Sequence, residues 1–178
     1  MRVLILRGDI TAQNVDAVVN AANSSLLGGG GVDGAIHGAA GPALLEACQA
    51  LRRTELPAGL PTGEAVATEA GRMSARYVIH TVGPIHDEHE DGGVDLLRRC
   101  HESSLRAADQ LGLETVAFPA ISCGVYGWSP VDAAPIAVAA VREFEATHPD
   151  TSIAEVRFVL FNDEAFDAFD RAARSVGE

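Results

Sequence analysis

Two asparagines three apart, Asn20 and Asn23, stand just ahead of four consecutive glycines, Gly28 to Gly31, and a lone aspartate, Asp33. Backbone amides approach a phosphate closely only where side chains are missing, so the glycine run suggests a diphosphate cradle. The asparagine amides offer donors and acceptors suited to sugar hydroxyls. A carboxylate beside a phosphate is repelled unless it has a task there, and the task that fits is to bind or polarise a neutral group such as a ribose hydroxyl or a water. The stretch therefore reads as a site for a ribose-diphosphate with a candidate catalytic acid or base.

Gly29 to Gly34 also fits the dinucleotide-binding G-x-G-x-x-G pattern. In that arrangement the first glycine follows its strand closely and the loop opens directly into a helix. Here about eight residues separate Val19 from the glycine run, and Asp33 sits inside the pattern, which argues against a nicotinamide oxidoreductase. Asp33 and His37 are four apart, a spacing that puts both on one face of a helical turn. His86 and His89 lie in a polar, acidic loop and read as solvated residues rather than metal ligands.

The elements that must position these groups alternate between strand and helix. Apolar runs predict strands at Val3 to Leu6 and Asp16 to Val19, the second ending in the asparagine loop. Further strands are predicted at Glu64 to Glu69, Tyr77 to Val82, Thr115 to Pro119 and Glu155 to Phe161. Helical patterns run from Pro42 to Arg53, Val94 to Leu111 with Gly112 closing it, Pro130 to about Ala146 after a Ser129 cap, and Asp163 to Ser175. This order predicts a three-layer α/β/α sandwich around a mixed, mostly parallel sheet, formed by residues 1–178 as one domain. Ligands in such sheets gather beyond the carboxyl ends of strands. The asparagine–glycine loop and a second glycine-bearing loop, Ser122 to Gly127, both follow strands and so could face one ligand.

Composition narrows the function classes. An apolar fraction of 47% suits a globular chain, and no apolar run approaches the ~20 residues that would span a membrane. The start, MRVLILRGDIT, lacks the features of a signal peptide, so a cytoplasmic location is expected. A net charge of −12 opposes nonspecific nucleic-acid binding but not capture of a small anion by backbone amides. Cys48, Cys100 and Cys123 are odd in number and widely spaced, and are expected to be reduced thiols, with Cys48 and Cys100 in helical core positions.

Five motifs taken together are more specific than any one: GDIT at Gly8 to Thr11, VDAVVNAANSSLLGGGGVDGAIHGAAG at Val15 to Gly41, PTGEA at Pro61 to Ala65, IHTVGP at Ile79 to Pro84, and AFPAISCGVYGWSP at Ala117 to Pro130. In this order, over nearly the whole chain, they resemble the macrodomain family, and within it the MacroD-type ADP-ribosyl hydrolases and O-acetyl-ADP-ribose deacetylases. The resemblance implies that Asp9 accepts a hydrogen bond from the adenine amino group with Ile10 near the base. It implies that Asn20 and Asn23 hold the distal ribose, and that Gly30, Gly31 and Val32 line one side of the diphosphate. Ser122, Cys123, Gly124, Val125 and Tyr126 would line the other side, with Tyr126 near the distal ribose. Phe161 would stack on adenine and Asn162 would touch the adenosine end. Asp33 would orient or activate a water, with Asn20, Asn23 and His37 completing the catalytic set. Residue by residue, simpler roles compete: turn formation for Asp9, Asn20 and Asn23, and core packing for Tyr126, Trp128 and Phe161.

The resemblance implies an enzyme that removes mono-ADP-ribose from acidic side chains of proteins and deacetylates O-acetyl-ADP-ribose, with no metal or redox cofactor. Its partners would be ADP-ribose, ADP-ribosylated proteins and O-acetyl-ADP-ribose. The main alternative is a reader that binds ADP-ribose without hydrolysing it, and a hydrolase of ADP-ribose 1″-phosphate is a variant within the fold. Gly38, where many relatives carry a larger residue, and Cys123, in place of a common threonine, depart from the family pattern.

Overall fold

The computed structural model describes residues 1–176. Six strands form one sheet: β1 (Arg2–Arg7), β2 (Ala17–Ala22), β3 (Ala65–Glu69), β4 (Tyr77–Val82), β5 (Thr115–Phe118) and β6 (Glu155–Leu160). Their spatial order is β1-β6-β5-β2-β4-β3, and only β3 runs antiparallel to its neighbour. The helices are α1 (Gly31–Ala40), α2 (Pro42–Arg53), α3 (Val94–Gln110), α4 (Pro130–Thr147) and α5 (Asp163–Ser175).

Strand parity divides the core in two, because successive side chains leave a strand on opposite faces. Val18, Ala22, Val78, Val82, Ala117 and Val159 pack with Ile36 and Ala40 of α1 and Leu44 and Cys48 of α2. The alternate residues, among them Val19, Ile79, Phe118 and Phe158, pack with Leu97 and Leu105 of α3, Val138 and Phe144 of α4, and Phe169 of α5. The result is the expected α/β/α sandwich with a mixed, mostly parallel sheet. Strands buried on both faces read as continuous apolar runs, which is why they were legible in the sequence.

Local signals place most of the boundaries. Ser129 accepts a hydrogen bond from the Val131 amide and Pro130 occupies the first helical position of α4. Gly112, at φ 69°, closes α3 in the left-handed conformation that glycine adopts freely. Most other boundaries fall within a residue of the sequence reading, and three differences bear on the site. Strand β2 continues three residues past Val19 to Ala22, so Asn20 is a strand residue rather than a loop residue. Strand β6 ends at Leu160, one residue before Phe161. The glycine run is also not loop throughout, since α1 begins at Gly31 and Asp33 lies in its first turn.

Two histidines are built into these cores. His101 of α3 is buried, its Nδ1 2.8 Å from the Leu97 carbonyl oxygen, and its ring stacks on Phe118 at 5.2 Å. Burial pushes it down to about 4, and burial together with nearby His37 pushes His80 of β4 down to about 3. Both are neutral when folded, whereas an unfolded chain protonates them near pH 6.5. Their contribution is therefore complete above pH 6.5 and is lost as pH falls from there through about 4 and 3. Urea midpoints measured from pH 7.5 to 4.5 should decline below pH 6.5, and His101→Leu should flatten part of that slope. An unchanged slope in this variant would show that His101 does not carry it.

Candidate active site

Strands β1, β6, β5 and β2 are parallel neighbours, so the segments leaving their carboxyl ends line up along one edge of the sheet. In spatial order these are Asp9 and Ile10 after β1, Phe161 and Asn162 after β6, Ser122 to Tyr126 after β5, and Asn23 to Asp33 after β2. Residues scattered from 9 to 162 thus lie at the carboxyl ends of neighbouring strands, the place where ligands gather in such sheets.

Asp33 is the centre of its polar chemistry. Its side chain is buried, and Asn20 Nδ2 donates to Asp33 Oδ1 at 2.8 Å. Asn20 Nδ2 also lies 3.2 Å from His80 Nδ1, and His80 Nε2 lies 2.9 Å from Thr68 Oγ1. Asn20, His80 and Thr68 all point to the α1–α2 face of the sheet, and Asn20 stands directly across from His80 in the parallel register of β2 and β4. His37 Nε2 is 3.5 Å from Asp33 Oδ1, close enough for electrostatic contact but longer than a normal hydrogen bond. Cys48 completes the surroundings at 3.8 Å from His80 Nε2, with burial and the Asp33 charge raising its thiol to about 11.

This arrangement changes the reading of Asn20. It was expected to hold the distal ribose, but the side chain is wholly buried and its amide is committed to Asp33 and His80. Asn23 is half-buried, and its Oδ1 accepts from the Ser25 amide while its Nδ2 donates to the Gly28 carbonyl. It therefore makes the loop-forming contacts of an Asx turn. Its amide also borders Asp33, because a Cβ added at Gly29 would lie 3.3 Å from Asn23 Nδ2 and 3.1 Å from Asp33 Oδ2.

The remaining glycines set how closely the backbone packs here. A Cβ at Gly34 would come within 2.6 Å of the Gly29 carbonyl oxygen, so the turn into α1 closes only without one. Gly30 caps α1 with no side-chain hydrogen bond, leaving the amides of the first turn without a capping side chain. Bare amides at a helix N-terminus favour an anion. The Gly38 surroundings are open, with nothing within 4 Å of an added Cβ.

The other expected residues fall along the same edge. Asp9 is exposed and its carboxylate accepts from the Thr11 amide and hydroxyl, while Ile10 is buried in the core beneath it. Phe161 is 84% exposed, unusual for a large aromatic ring, and Asn162 caps α5 by accepting from the Ala165 amide. Gly124 and Val125 are exposed, Tyr126 is half-buried, and the Tyr126 carbonyl accepts from the His86 amide. Ser122 is buried at φ 67°, and Cys123 is half-buried with burial, then Glu164, raising its thiol to about 12. Trp128 is buried in the core and serves packing there. His80 was not singled out from the sequence. The available signal was its even-numbered position among Val78 and Val82, which puts a polar ring on the same face as Asn20.

A family model described as the Macro domain matches residues 19–137. The chain belongs to the macrodomain family. The macrodomain of Oceanobacillus iheyensis, solved with ADP, is 42% identical with a TM-score of 0.91, covering 97% of this chain and 90% of its own. A Trypanosoma brucei macrodomain solved in complex with ADP-ribose is 38% identical with a TM-score of 0.86, covering 96% of this chain and 68% of its own. An Escherichia fergusonii protein named O-acetyl-ADP-ribose deacetylase is 48% identical over 177 residues, covering 99% of this chain and 98% of its own.

Gly83, just past β4, fixes the second glycine loop, because a Cβ there would overlap Ser122 Oγ and lie 2.8 Å from Ile121 Cγ2. Gly83→Ala should lower stability by about 1–3 kcal/mol through overpacking. Ser122→Gly on that background should recover much of the loss, since it removes the clashing hydroxyl and relieves the positive φ. Urea unfolding of the two single variants and the double variant reads the coupling, and strictly additive losses would contradict the contact.

Proposed function

We propose that this macrodomain is an ester hydrolase that removes mono-ADP-ribose from acidic side chains of proteins and also deacetylates O-acetyl-ADP-ribose. The observation that carries this reading is Asp33: a buried carboxylate, held by the Asn20 amide, in the first turn of a helix that opens with bare glycine amides. Binding a diphosphate alone gives no reason to bury an anion beside it, because the like charge weakens binding. A carboxylate held there is suited to orienting and polarising a water next to the phosphate.

The geometry supports a division of labour. The amides of Gly30, Gly31 and Val32 and the Ser122 to Tyr126 loop take opposite sides of the diphosphate. Phe161 offers a face to adenine, and Asp9 receives the adenine amino group. The distal ribose then lies at the Asn23–Asp33 end, where its ester to a carboxylate or an acetyl group meets the water on Asp33. Asn20 acts from behind Asp33 rather than on the sugar. The name of the Escherichia fergusonii relative supports the deacetylase part of the proposal, and the ADP-ribose complex of the Trypanosoma brucei macrodomain supports the ligand.

Protein carrying mono-ADP-ribose on Glu and Asp should lose its label with wild type. Asp33→Ala should be slower by roughly 10²–10⁴-fold, the usual contribution of a positioned acid or base. The variant should still bind ADP-ribose in a calorimeter. Label retained by wild type together with tight ADP-ribose binding would make the protein a reader instead. Phe161→Ala should weaken ADP-ribose binding without changing turnover at saturating substrate, which separates the adenine end from the chemistry. A matching loss of turnover would contradict that separation.

A further inference from the structure

The polar chain behind Asp33 contains one group that the proposed chemistry does not use. His80 is wholly buried on β4, beside the edge strand, yet both ring nitrogens face polar atoms, Nδ1 at 3.2 Å from Asn20 Nδ2 and Nε2 at 2.9 Å from Thr68 Oγ1. The hydrogens of this chain can be assigned by what each atom is able to donate. Asp33 Oδ1, as a carboxylate, can only accept, so the Asn20 atom 2.8 Å from it is the NH₂ group. That NH₂ has two hydrogens, and the second points to His80 Nδ1. A ring nitrogen that accepts carries no proton, so the imidazole proton sits on Nε2 and is donated to the Thr68 hydroxyl.

We propose that His80 is a positioning residue for Asp33: its unprotonated Nδ1 holds the Asn20 amide in the one orientation that donates to the catalytic carboxylate, while Nε2 carries the ring proton and donates it to the Thr68 hydroxyl. Reversing the His80 proton would turn Nδ1 into a donor facing the Asn20 NH₂. Asn20 would then have to rotate, which would place its Oδ1 against the Asp33 carboxylate, two acceptors in contact. Burial and the neighbouring His37 oppose a second proton on the ring, so the neutral form persists at the pH of the reaction. The chain runs from edge strand β3 through β4 and β2 to the first turn of α1, so the sheet itself aims the carboxylate.

This inference rests on the proposed hydrolase reading, and its first test is independent of turnover. Imidazole ¹⁵N resonances of wild-type protein at neutral pH should show His80 with a protonated Nε2 and a pyridine-like Nδ1. A proton on Nδ1 overturns the proposal whatever the enzyme does. The second test is kinetic, on acidic-side-chain-linked ADP-ribose. Thr68→Val and His80→Leu should each lower kcat, His80→Leu by roughly tenfold, with KM held within about twofold. His80→Asn offers an amide oxygen near the place of Nδ1 and should recover part of the loss. Thr68→Val keeps the size of the side chain, so it remains informative if His80→Leu does not fold. Wild-type kcat in the folded variants, or an effect confined to KM, would overturn the positioning role. Wild type without turnover would instead sink the hydrolase reading, leaving the ring proton to be decided by the resonances.

Discussion

A carboxylate taken out of water must be met by donors, and that constraint organises this site. Asp33 is nearly enclosed between the first turn of α1 and the sheet, where an unpaired charge is costly. A hydrogen bond to a charged group contributes about 1.5–3 kcal/mol, and the Asn20 amide supplies one. Because Asn20 is itself buried, its other hydrogen needs an acceptor as well, and His80 supplies it. Each polar group thus calls for the next, until the chain reaches Thr68 on the edge strand. Removing any one member leaves the next buried and unsatisfied, so the members are tied together.

The fold supplies the rest of the geometry through connectivity. Parallel strands deliver successive loops to the same edge, so an exposed phenylalanine after β6, a glycine-bearing loop after β5 and a glycine-opened helix after β2 stand in a row. The row is ordered as an elongated ligand with a base at one end and a sugar at the other would require. Glycines act at defined points in it: Gly34 admits the Gly29 carbonyl and Gly83 admits the Ser122 hydroxyl. Arg52 adds a clamp from outside, its guanidinium donating to the carbonyls of Ser25, Leu56 and Pro57 and so tying the asparagine loop to the end of α2.

Much of this was legible in the sequence, for reasons that have limits. Doubly buried strands such as Tyr77–Val82 and capped helices such as Pro130–Thr147 announce themselves by composition and by Ser-Pro or Gly punctuation. The glycine run stood out as a candidate anion site, the reading that the proposed function takes up, and Asp33 as the residue out of place beside it. Asn20 misled because amide side chains near glycines look like loop residues, whereas β2 extends far enough to draw it into the core. The start of α1 was hidden because four glycines weaken any helix signal, and tertiary packing of Ile36 and Ala40 overrides that weakness. His80 was missed because a single polar residue in an apolar strand reveals its partner only when the register of β2 against β4 is known.

The central claim is that Asn20 and Asp33 act as one unit, the amide serving the reaction only through the carboxylate it holds. A kinetic double-mutant cycle on acidic-side-chain-linked ADP-ribose, with Asn20→Ala, Asp33→Ala and the double variant, measures that directly. The account predicts that Asn20→Ala slows turnover in the presence of Asp33 and adds almost nothing once Asp33 is gone. Losses that multiply in the double variant would show that Asn20 acts on the substrate by itself, and the buried unit would not be the basis of the chemistry.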